Sequence, residues 1–294
     1  MGTSSALSAT AATTIPAIRQ HGRSVLLAGC AVVFALPALV ALSRGAWRSE
    51  AGSLAPIVIA LGGWTLWQAF REHREVAAPG SPVVWAPILG SAIILSAFAA
   101  AIAMASLQTL AVWLGCVAAF YAVFGKAMVR ACAFPLLFLG LTIPLPFSLS
   151  MPLNAALRAW VADRAVGWGS SIGLDAALEQ GNVIVGQYVL GIENACAGAS
   201  STLSLIAIGL LYAFWVMRGG WVPMVIVALA SVPIAMAANV ARVVALMAMV
   251  AASGTGVLDT WLHPVSGLIS FSIALALLVI VSKLALLTAP RIAV

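Results

Sequence analysis

Long, nearly uninterrupted apolar runs recur along this chain from about residue 25 to the C-terminus, and they restrict its fold more than any other feature. A helix rises about 1.5 Å per residue and the hydrocarbon core of a bilayer is about 30 Å thick, so a span needs roughly 20 mainly apolar residues. Eight runs approach that length: Val25 to Leu42, Ser53 to Phe70, Val83 to Met104, Leu107 to Phe124, Arg130 to Phe147, Ala199 to Met217, Trp221 to Val250 and Pro264 to Leu287. With 63% of the 294 residues hydrophobic and only 7% charged, nothing remains from which to build a water-facing surface around them. Backbone polar groups in hydrocarbon must be bonded within the chain, and runs of this length do so as helices. The sequence therefore predicts an all-α polytopic membrane protein of about eight transmembrane helices. The third and fourth runs, joined at Ala105 and Ser106, must form a helical hairpin.

Residues 1–22 are rich in Ser, Thr and Ala without apolar periodicity and read as a disordered cytoplasmic tail. A cleaved signal peptide is the rival reading of this start. The first apolar run begins late and seven more follow, so it reads as a retained anchor, and 23–294 as one integral membrane domain. Orientation follows from the 14 Lys and Arg residues, because short cytoplasmic loops are enriched in them. An N-terminus inside puts Arg19, Arg23, Arg71, Arg74, Lys126, Arg130, Arg218, Lys283 and Arg291 on the cytoplasmic side. Arg44, Arg48, Arg158 and Arg164 then lie outside, with Arg242 left to be placed. Nine against four favours both termini inside. The net charge of +6 is accounted for by topology and contact with anionic lipid, so it implies no nucleic-acid partner.

This topology makes the long segment 148–198 external. Within it, Pro152 to Gly167 carries Leu153, Leu157, Trp160 and Val161 on one side, the pattern of a short helix lying on the membrane. Arg164 falls near that stripe, where it either pairs with Asp163 or touches a substrate. The Val, Ile and Tyr-rich stretch Asn182 to Ile192, interrupted by Gly186, reads as a small hairpin that caps a site, offers an edge to an extended peptide, or serves only as a lid.

Cys196 closes the external segment. Arg242 lies 21 residues beyond the inner start of the seventh run, roughly 32 Å along a helix, and so reaches the outer surface. His263 precedes the eighth run, which starts outside. Three reactive side chains far apart in sequence thus converge on one face, and polar residues kept at such places in a bilayer protein are a functional-site signal. The start of the sixth helix favours an anion, and a nearby Arg adds to that, so a thiolate at Cys196 is plausible. His263 can transfer protons near neutral pH, and Arg242 can donate to a developing oxyanion or to a carboxylate. Together they suit acyl transfer through a thioester. Each residue alone has a plainer reading: Cys196 as a small residue beside Gly198 where a helix starts, Arg242 as a snorkelling anchor, His263 as an interfacial loop residue. Asn239, three residues before Arg242, shares its helix face and either holds the guanidinium or packs helices. Cys30, Cys116 and Cys132 read as buried apolar groups, and His21 and His73 take no role. Three His and eight acidic residues scattered along the chain supply no metal site, and no cofactor motif is present.

The same stretches resemble a known family. Phe134 to Leu139, continuing through Ile143-Pro144-Leu145-Pro146, looks like the fifth-span signature of the exosortase/archaeosortase family. Gly181-Asn182 with the Val-rich run after it resembles the external segment. Ala195-Cys196-Ala197-Gly198 is similar to the Ala-Cys-Ser-Gly core, Asn239 to Arg242 to the Asn-x-x-Arg motif, and His263 to Gly267 to the His-containing motif. The likeness covers about Val83 to the C-terminus. It implies a membrane-embedded cysteine transpeptidase of the bacterial plasma membrane, with its active site on the external face. Such an enzyme cuts C-terminal sorting tails, made of a short motif such as Pro-Glu-Pro, a transmembrane helix and a basic cluster, from exported proteins. It passes them to a cell-surface acceptor, a lipid or a glycan. On the matching positions Cys196 would be the nucleophile, Arg242 the transition-state stabiliser and His263 the proton-transfer residue. The chain departs from the family at Ala197, Ala199 and Ser200, and has Asn194 where the family has Glu, with Glu193 one place earlier. Glu193, Asn194 and Ser200 are thereby candidates for support or substrate contact. A non-catalytic transporter or scaffold with a polar outer pocket is the alternative from another class.

Overall fold

The computed structural model of the chain describes residues 29, 33–40, 42–43, 47, 54–179, 181–190, 199–216 and 221–288. The expected tail at 1–22 and much of the first apolar run lie outside the described residues. The chain divides into two compact units, Met1–Pro146 and Phe147–Val294.

In the first unit, α1 (Ala55–His73) is followed by a 3-10 turn, α2 (Pro82–Ala101), α3 (Ala105–Ala131), the short α4 (Ala133–Leu139) and a 3-10 turn at Gly140–Thr142. A helical stretch over 33–40 precedes them. The joint at Ala105 is as tight as its sequence requires, with Ala103 in the left-handed region at φ 53. The hairpin seam is made of small residues: Ala92 and Ala99 on α2 and Ala111, Gly115 and Ala118 on α3 are buried. Ile93, Ile94 and Phe98 point outward. Small residues let helix backbones approach closely where lipid gives large side chains no reason to withdraw. Buried hydroxyls are satisfied locally, as where Thr65 donates to Leu61 O at 2.9 Å.

α3 breaks at Gly125, whose φ of 74 and ψ of −175 lie in a region essentially reserved for glycine. The break frees carbonyls that the loop before α2 then uses. Ala78 N–H donates to Phe124 O and Gly80 N–H to Ala122 O, both at 3.1 Å. A Cβ at 125 would strike the Ala78 carbonyl. Gly125→Ala is therefore expected to destabilise the protein by about 1–3 kcal/mol through backbone strain, with the clash added. Thermal melting in detergent checks this, and an unchanged midpoint would show that the break is dispensable.

The second unit contains α5 (Phe147–Ser171), an antiparallel sheet of β1 (Ala176–Glu179), β2 (Asn182–Val185) and β3 (Tyr188–Leu190), then α6 (Ala199–Val216), α7 (Trp221–Ser253), a 3-10 turn (Thr255–Asp259) and α8 (Leu262–Thr288). β2 and β3 pair Val183 with Leu190 and Val185 with Tyr188 across a two-residue turn that starts at Gly186, φ 57. The stretch expected as a hairpin thus carries a third strand, β1, pairing Ala176 with Val185 and Glu179 with Asn182. Val183, Val185 and Leu190 join Val161, Ala162 and Ala165 of α5 and Val240, Val243, Leu246, Met247 and Val250 of α7 in one core. α6 packs between α7 and α8: a Cβ on Gly209 would meet Leu278 at 2.7 Å and Val227 at 2.9 Å.

Four described helices are long and apolar enough to cross a membrane, over Pro82–Ala101, Ala105–Ala131, Met224–Ser253 and Val265–Leu284, or up to five if a broken pair is counted as one span. The chain is thus a mostly helical, polytopic membrane protein; among the described residues four or five of the eight apolar runs are evident as spans, and most of the first run lies outside them. The differences have local causes. α1 contains Gly62, Gly63 and Gln68 and carries Arg71 and His73 in its last turn. The fifth run stops as a helix at Leu139, ahead of Pro144 and Pro146, and helix resumes at Phe147. The helix expected from Pro152 to Gly167 is present and longer, and its apolar stripe divides between buried and exposed positions. Val161, Ala162, Ala165 and Gly169 are buried, whereas Leu153 and Trp160 are exposed.

Candidate active site

α7 is apolar for most of its 33 residues, and Asn239 and Arg242 stand out in its middle. Three residues apart, they share one helix face. Asn239 is buried. Both side chains line a pocket enclosing about 310 Å³ of empty space, part of it open to solvent, together with Leu205 of α6 and Gly267, Ser270 and Phe271 of α8. Ser270 spends its proton within α8, donating to Ser266 O at 2.8 Å. The pocket is thus a small, mainly apolar cleft among three helices with polarity concentrated on α7.

The arginine is held in an unusual way. A methyl group at position 267 would stand 3.2 Å from the guanidinium carbon and from Nη2 of Arg242, and 3.4 Å from Nη1. The planar head group therefore lies directly against the α8 backbone. Arg242 Nε is buried and has no hydrogen-bond partner among the described residues. A buried donor left unpaired costs about 1–3 kcal/mol, more when charged.

His263 lies in the first turn of α8, one helical turn before Gly267. Its backbone position puts it on the same face of α8 that meets Arg242. Of the residues singled out in the sequence, the structure brings Asn239 and Arg242 together and sets His263 on the adjoining helix face. Ser200 belongs to the first turn of α6. Glu193, Asn194 and Cys196 lie outside the described residues. Sequence reasoning missed Gly267 and Ser270 as pocket residues. The signal was available in their spacing, since 263, 267 and 270 recur on one helical face. Arg164 is not part of this pocket. Its Nε is 3.7 Å from Asp163 Oδ2 and its guanidinium 5.7 Å from the Trp160 ring centre, both at an exposed surface where such a pair contributes little. Among the described residues no group of three or more His, Cys, Asp or Glu side chains is placed to hold a metal ion.

A set of long apolar helices, one of which places an arginine in a cleft, marks a polytopic membrane protein. A family model described as Transmembrane exosortase (Exosortase_EpsH) matches residues 46–280, and the chain belongs to that family. No curated protein and no solved structure matches the chain.

Proposed function

We propose that the chain is a membrane cysteine transpeptidase that removes C-terminal sorting tails from exported proteins and transfers the shortened proteins to a surface acceptor. The observation that carries this reading, beyond family membership, is the Arg242 guanidinium fixed against α8 with its buried Nε unpaired, one turn from the His263 position. That is the arrangement a developing oxyanion requires, a donor held in place before charge appears.

In the proposed cycle the Cys196 thiolate attacks the scissile carbonyl carbon, forming a C–S bond and a tetrahedral oxyanion that Arg242 stabilises. His263 protonates the departing amine as the C–N bond breaks, leaving a thioester on Cys196. An acceptor nucleophile, deprotonated by His263, then attacks the thioester carbonyl, and the thiolate departs. Glu193, Asn194 and Ser200 flank the nucleophile in sequence and are proposed to contact the tail. The acceptor is a lipid or a glycan.

The proposed setting is the bacterial inner membrane with both termini cytoplasmic and the site external. The antiparallel arrangement in the first unit supports it: the end of α1, with Arg71 and Arg74, is tied through Ala78 and Gly80 to the part of α3 that precedes Lys126. Arg71 also lies over Trp67 at 4.7 Å, as interfacial pairs do.

The test is co-expression with an exported protein ending in a short motif, an apolar span and a basic tail. The expected result is a shortened product joined covalently to an acceptor. Persistence of the full-length protein would exclude the activity and favour the transporter or scaffold reading, and release of a free shortened product would reduce the enzyme to a protease. A membrane-impermeant thiol reagent on intact cells should label Cys196; labelling only after lysis would reverse the orientation.

A further inference from the structure

We propose that Gly267 is a positioning residue: its lack of a side chain sets the plane and depth of the Arg242 guanidinium. The inference rests on the reading of Arg242 as the transition-state stabiliser and adds to it a residue on another helix.

Two glycines of the second unit show why this one is different. At Gly209 the atoms that a methyl group would meet first belong to Leu278, Val227 and Ser231, so that glycine lets helices pack. At Gly267 the three nearest atoms are Cζ, Nη2 and Nη1 of Arg242. The atoms that crowd closest on the space glycine leaves open all belong to the guanidinium. Glycine is also the poorest helix former after proline, and position 267 falls in the second turn of α8, so its presence there works against helix stability. A residue that weakens its helix and makes room for one charged group acts on that group.

The contact distances define what a substitution does. A separation of 3.2 Å is too short for a methyl group against Cζ and Nη2, so the guanidinium must move by a few tenths of an ångström. The far end of the arginine side chain can give by that amount without opening the helix. A catalytic donor misplaced on this scale loses rate without loss of fold. The shift also moves the Nε–H, which is buried in the pocket wall.

The experiment is Gly267→Ala in the full-length protein, alone and combined with Arg242→Lys. Membrane abundance and thermal midpoint should be unchanged or higher, while kcat for tail processing falls about tenfold with KM little altered. In the Arg242→Lys background the same exchange should cause no further loss, because the planar group it displaces is gone. Equal fold losses in both backgrounds would overturn the proposal and leave Gly267 a packing residue. An independent readout is the Nε–H resonance of Arg242 in detergent, identified by its disappearance in Arg242→Lys. Gly267→Ala should shift it, and an unmoved resonance overturns the positioning role whatever the activity. A shifted resonance with full activity would uphold the contact and instead refute the catalytic role of Arg242.

Discussion

Replacing Cys196 with Ala is expected to abolish tail processing while the protein accumulates in the membrane at its normal level. The exchange removes one sulfur atom from a segment already rich in small residues, Ala195, Ala197 and Gly198, so it alters little that could support the fold. It removes the only atom in the proposed cycle able to hold the acyl group. Loss of a nucleophile in an enzyme of this logic costs on the order of 10⁶-fold in kcat, which puts processing below detection. Cys196→Ser should be as inactive, because a hydroxyl has nothing like the thiol's tendency to ionise near neutral pH. Immunoblotting of the co-expressed substrate checks both variants. Normal processing by Cys196→Ala would remove the thioester from the mechanism.

Arg242→Lys is the second large effect expected, a fall of roughly 10²–10³ in processing rate, the size seen when one preorganised oxyanion donor is lost. The charge is retained, so an electrostatic role alone would spare most activity. What disappears is geometry. The planar head group lies against the Gly267 backbone and presents a buried Nε–H, whereas an ammonium is a point charge with rotating donors. The loss should fall on kcat, and a rise in KM alone would indicate that Arg242 binds the tail rather than stabilising the transition state. Retention of full rate would leave Arg242 a structural anchor.

Much of the helical architecture was legible because apolar runs report span length directly. The faces were harder to read. In α5 the expected stripe of Leu153, Leu157, Trp160 and Val161 divides: Leu153 and Trp160 are exposed, whereas Val161 is buried together with the small residues Ala162, Ala165 and Gly169. Where the surroundings are as apolar as the interior, hydrophobicity no longer distinguishes inside from outside, and size takes its place. β1 was illegible for another reason: Ala-Ala-Leu-Glu favours helix, and only its pairing with Asn182–Val185 makes it a strand. At the site, Asn239 and Arg242 could be assigned to one face from their spacing. The contact between Arg242 and Gly267 could not, since it depends on how α7 and α8 are rotated against each other.

The small-residue seam between α2 and α3 inverts the tolerance to mutation expected of a water-soluble protein. Ile93, Ile94 and Phe98 are large, yet they touch mainly their surroundings, so exchange among Leu, Val, Ile and Phe there should pass almost unnoticed. Ala92, Ala99, Ala111 and Gly115 are small, yet all are buried, and a methyl group added at Gly115 would already strike the Phe34 ring. Substitution scores that treat alanine as neutral filler will therefore misjudge this protein at the positions where it is least forgiving.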